Sequence, residues 1–198
     1  MKTLTHIKKT LFQTTLFTAI LFSISSCTTE QPAENTKVIA TDHNEMKFNN
    51  TTKEADAQFL VNAAEISLTE IQLGQLAQQK SKMKDIKDLG KMMEEAHQTS
   101  FNKLTALAYK KNITIPTSLT DNALVAYKKL TDVLEVDFDK EYSNMMVEGH
   151  REAITEFDKA SIESKDSDIK DWATSTVLSL HTHLDYAIAC QKKYDIKK

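Results

Sequence analysis

The sequence predicts an all-α fold, a bundle of four long helices, on three observations. There are three glycines and two prolines in 198 residues, against roughly 7% and 5% in average usage. The many tight turns of a sandwich or barrel have too few residues to build them. From Thr51 onward, apolar residues recur at spacings of three and four, which is the period of an amphipathic helix. The interruptions of that pattern are few and polar, at Ser81, at Asn112 to Pro116 and at Ser164 to Ser167.

Composition also removes several classes of function. Gly74, Gly90 and Gly149 are isolated from one another, so no glycine-rich phosphate loop or dinucleotide fingerprint can be written. The formal net charge is −3 and no basic block occurs, which argues against nucleic acid as a partner. Two cysteines, Cys27 and Cys190, exclude a zinc finger and a multi-disulfide framework.

Residues 1–26 have the form of an export signal. Lys2, Lys8 and Lys9 make a basic start, and a mostly apolar run from Thr10 to Ile24 follows. That run is short of the roughly 20 residues a bilayer span needs. It ends in Ile24-Ser25-Ser26-Cys27, which resembles a bacterial lipobox. On that reading Cys27 is lipidated and becomes the mature N-terminus. The acyl chains would hold the protein to a membrane, since each buried methylene is worth about 0.8 kcal/mol. The expected location is the cell envelope, lipid-anchored on the periplasmic side or in the outer membrane. Residues 27–52 are polar and without clear period, and are expected to form a flexible tether.

The bundle domain is expected over 53–198. The first long helix covers about 53–79, with Thr51-Thr52-Lys53-Glu54 as its capping box. Ser81 is placed to cap the second, about 83–111. Asn112 to Pro116 ends that helix. A short helix near 119–134 lies within a long connection. The third long helix runs from about Phe138 to Ile162, and the fourth from about Asp168 to near Tyr194. Short turns join the first to the second and the third to the fourth. The crossover between the second and third is long, which is the connectivity of a ferritin-like four-helix bundle.

A short repeat marks the second and third long helices. Met92-Met93-Glu94-Glu95-Ala96-His97 returns as Met145-Met146-Val147-Glu148-Gly149-His150. At 100° per residue, Met93 and His97 share an apolar face, as do Met146 and His150. On the first helix Glu70 shares the face of Ile66, Leu73 and Ala77. On the fourth His183 lies with Trp172, Leu180 and Cys190, while His181 points outward. Glu70, His97, His150 and His183 therefore fall on four core faces at similar height, with Glu94, Met93 and Met146 at the edge of that layer.

One reading is a site for a single transition-metal ion, since imidazole suits Fe, Cu or Zn. Another is a buried polar network that fixes helix register. A third treats each histidine as an independent core residue. A di-iron centre lacks carboxylates, because Val147 and Leu180 stand where the Glu-x-x-His motif would need acids. The methionines read as core filler before copper ligands.

From Asp56 to about Ala189 the chain resembles the bacterial envelope proteins grouped as domain of unknown function 4142. The residues that carry this are Asp56, Phe59-Leu60, Ala63-Ala64, Glu70, and Leu73-Gly74-Gln75-Leu76-Ala77. Met93, His97, Leu104 and Ala108 follow, then Phe138-Asp139, Tyr142, Met146, His150 and His183-Leu184. The resemblance implies a ferritin-like helical fold and an envelope location, and no settled activity. It also implies an acidic residue directly before His97 and before His150, where this chain has Ala96 and Gly149. The function expected is that of a membrane-anchored envelope lipoprotein without enzymatic activity, serving a structural, stress-related or partner-binding role. The alternative is a metal-binding protein using the Glu/His layer.

Overall fold

The computed structural model describes residues 35–195, and among them it contains six α-helices and no strand. The expected signal peptide, Cys27 and the start of the tether lie outside the described residues. The helices are α1 (Thr36–Lys47), α2 (Thr51–Lys80), α3 (Lys84–Lys111), α4 (Asp121–Asp132), α5 (Glu135–Glu163) and α6 (Ser167–Asp195). The four long ones are each about 42–45 Å in length at 1.5 Å per residue. No helix among the described residues is long and apolar enough to cross a membrane.

Short turns join α2 to α3 and α5 to α6, and both pairs pack extensively. The pairs meet through α2 against α5 and α3 against α6. The crossover from α3 to α5 spans residues 112–134 and holds α4, which lies against α2 and α5. This is the four-helix bundle with one long crossover that the sequence predicts. Asn112 ends α3 in the left-handed region, at φ 57° and ψ 37°, a conformation that asparagine tolerates. Its N–H and that of Ile113 close the last turn onto the carbonyls of Ala108 and Tyr109.

Three local expectations change. Residues 36–47, expected within a flexible tether, form α1. The sequence lacks an apolar stripe there, and α1 is held mostly by polar contacts. Asn35 caps it, Lys37 pairs with Glu65 of α2 at 2.6 Å, and the Asn44 side chain exchanges two hydrogen bonds with the backbone of Thr114, each 2.8 Å. The cap of α2 is Asn50, whose side-chain oxygen accepts from the N–H groups of Thr52 and Lys53. Asparagine competes well for that position, so the cap lies one residue before the proposed box and Thr51 is already helical. Ser81 closes the end of α2 instead of capping α3, and its hydroxyl accepts from the N–H of Met83.

The core has two apolar clusters. One gathers Phe59, Leu60, Leu104, Phe157, Ile169 and Leu180. The other gathers Leu73, Ile86, Met93, Phe138, Tyr142 and Met146. Met93 and Met146 are fully buried within this second cluster.

Near the second cluster α2 and α3 touch through backbone. A Cβ on Gly74 would lie 2.5 Å from the Gly90 carbonyl oxygen, and one on Gly90 would lie 2.7 Å from that of Gly74. Neither obstacle is a side chain that could swing away. Gly74→Ala should therefore force the helices apart and destabilise the fold by about 1–3 kcal/mol, read as a lower urea midpoint. An unchanged midpoint would mean that the contact is not held in solution.

Candidate metal centre

The four polar residues singled out by the sequence lie between the two apolar clusters. On every long helix the order is the same. Glu70 falls between Ala64 and Leu73, His97 between Met93 and Leu104, His150 between Val147 and Ala153, and His183 between Leu180 and Ala187. All four are buried, at 6%, 4%, 1% and 6% exposure respectively.

Three of them meet. One nitrogen from each of His97, His150 and His183 lies within 4.8 Å of the other two. The ring centroids are 5.3 to 5.7 Å apart. Glu70 does not join them. Its carboxylate lies on the α2–α5 side, where a Cβ on Gly149 would be 3.4 Å from Oε1, and Oε2 has no hydrogen-bond partner. Angular phase placed Glu70 on an inward face correctly, but phase does not fix reach. The carboxyl lies against α5 in a crevice lined also by Ile66, Ala126 and Ala153.

The neighbouring residues also sort. The Glu94 carboxylate accepts hydrogen bonds from Gln75 and Gln78 at 2.8 and 2.7 Å, so it ties α3 to α2. Met146 touches the layer through its backbone, since its carbonyl oxygen lies 2.8 Å from His150 Nδ1. His181, Glu95 and Glu148 are exposed, as their angular positions require. Cys190 is buried in the second cluster, and burial pushes its thiol up to about 11.

Electrostatics favour neutral imidazoles. Burial, then the nearby His150 and His183, hold His97 well below its usual range. Burial lowers His150, against the opposing effect of the Met146 carbonyl. Burial and His150 bring His183 to about 4. A carbonyl can only accept, so His150 carries its proton on Nδ1 and presents a lone pair at Nε2. That Nε2 lies 3.3 Å from His183 Nδ1. Without a metal, His183 Nδ1–H donates across this gap. Two nitrogens bound tetrahedrally at 2.0–2.1 Å would be about 3.3–3.4 Å apart, so the same separation also fits two ligands on one ion. His97 Nε2 is buried with no hydrogen-bond partner among the described residues. A buried polar atom left unpaired costs about 1–3 kcal/mol, and a metal would relieve it.

The fold and the layer together define a helical-bundle protein with a three-histidine core. A family model described as Domain of unknown function (DUF4142) matches residues 42–189. The chain belongs to that family. No curated protein and no solved structure matches it.

Two pH dependences follow, with opposite signs. The folded state resists protonating the three histidines, whereas unfolded histidine takes a proton near pH 6.5. Their contribution is complete above that pH and is lost as pH falls below it, down to about 4 for His183. In the metal-free protein the urea midpoint should fall over this range, and less steeply in His97→Gln/His183→Gln. Equal slopes would refute neutral burial.

Burial raises Glu70 from 4.5 to about 8. The folded state then holds a proton that the unfolded chain has released, so stability falls as pH rises through this window. Glu70→Gln should raise the melting temperature increasingly from pH 5 to pH 8, with a constant gain above. A gain independent of pH would show that Glu70 does not titrate in the fold.

Proposed function

We propose that this protein is a metal-binding envelope lipoprotein, anchored through Cys27 and holding one divalent transition ion on His97, His150 and His183. The observation that carries the metal reading is the meeting of three buried imidazoles within 4.8 Å. Their low proton affinity keeps lone pairs free at neutral pH, and a metal ligand must be deprotonated. A donor set of three imidazole nitrogens, with neither thiolate nor carboxylate in the group, suits Zn²⁺, Cu²⁺ or Fe²⁺. Three protein ligands also leave a coordination position for something else. The anchor reading rests on the basic start, apolar run and Ile24-Ser25-Ser26-Cys27 of the sequence.

A second reading keeps the layer structural and assigns the function to a protein partner. It is favoured by the short His150–Met146 contact and the His150–His183 pair, which satisfy part of the layer without an ion. The two readings separate in one experiment. The protein is purified without chelator, offered Fe, Cu and Zn separately, and its metal content measured. The metal reading expects close to one ion per chain, lost in His97→Ala/His150→Ala. No metal in either protein would leave the structural reading. Incorporation of labelled palmitate, abolished by Cys27→Ser, tests the anchor.

A further inference from the structure

We propose that the metal takes its fourth ligand from solution through the crevice between α3 and α6, and that this ligand is a small anion paired with Lys103. The inference rests on the metal reading above.

Three neutral imidazoles leave the full double charge of the ion uncompensated. No Asp, Glu or Cys among the described residues joins the histidine group. The layer is walled by an apolar cluster on each side along the bundle. A charge so placed needs a counter-charge, and the protein supplies none within the group.

A crevice of about 270 Å³ runs between α3 and α6, with His97 and His183 in its wall. Ser100, Lys103, Trp172 and Ser179 line it further out. Lys103 and Ser179 are exposed, so the crevice opens to solvent. It is large enough for acetate, bicarbonate or phosphate, and too small for a peptide.

Among the described residues no carboxylate lines this crevice. The crevice between α2 and α5, on the other side of the bundle, is lined by Glu65 with its partner Lys37, by the protonated Glu70, and by Glu152 and Glu156, whose charges no lysine of the crevice pairs among the described residues. An anion is repelled on that side and accepted on this one. Thr99, Ser175 and Thr176 spend their hydroxyl hydrogens on carbonyls of their own helices. The Ser100 and Ser179 hydroxyls make no such bond among the described residues, so they can donate to an anion. Lys103 has no carboxylate partner among the described residues. It lies six residues beyond His97, about 9 Å along α3. Its long side chain can bring the ammonium over the outer end of a bound anion. The step is a ligand exchange, in which metal-bound water leaves as the anion enters, with no change of oxidation state.

The test uses the full chain in mild detergent, loaded with Co²⁺ as a visible reporter of coordination. Azide and acetate are titrated separately. The expected result is a saturable change in the cobalt d–d bands, with anion affinity about five- to tenfold weaker in Lys103→Glu and intermediate in Lys103→Gln. Cobalt stoichiometry is measured in all three proteins. Cobalt bound with bands that ignore both anions, or with identical affinities in the three proteins, overturns this inference and leaves the metal reading intact. Absence of stoichiometric cobalt overturns both.

Discussion

The approach of α2 to α3 at Gly74 and Gly90 leaves no room for a side chain, and the rest of the structure is registered from it. Each glycine's absent Cβ is replaced by the carbonyl of the other. The contact cannot slide by a residue, because the next position on either helix carries a side chain. Glu70 lies one turn from Gly74 and His97 two turns from Gly90, on the same side of the crossing. A backbone contact therefore sets the height at which the polar layer forms. Gln75 and Gln78, bonded to Glu94, hold the same register from the surface.

The layer combines groups that burial drives in opposite directions. Loss of water disfavours charge of either sign, so it lowers the three histidines and raises Glu70. A carboxyl beside an imidazole would favour the charged form of both. The structure keeps them on separate sides. The histidines remain bases without protons and Glu70 remains an acid that keeps its own. That separation makes the three-nitrogen group a candidate for a metal rather than an internal salt bridge.

Much of this was legible in the sequence. The helical period, the scarcity of glycine and proline and the three polar breaks located all four long helices within three residues at each end. Angular phase chose the inward histidines and set aside His181. What phase could not give was distance across the bundle. Glu70 and the histidines share a height, yet only the packing of α5 against α2, with Gly149 at the contact, shows that the carboxyl stops short. Nor could periodicity find α1, because its hold on the bundle is polar. Asn44 bonded to Thr114, and Lys37 to Glu65, are pairings between residues 70 and 28 positions apart. Lys80 is similar, since its ammonium takes the carbonyls of Leu130, Thr131 and Val133 at the end of α4.

Glu65 faces away from the core, and its two oxygens serve different masters. Oε2 pairs with Lys37 at the start of α1, and Oε1 accepts from the Thr120 hydroxyl at the cap of α4. Asn35 and Asp121, at the same two helix starts, bond to each other. One carboxylate of the bundle thus clasps both outer helices at a shared point. Removing that one carboxylate would therefore loosen the start of both helices at once, although 73 residues separate α1 from α4.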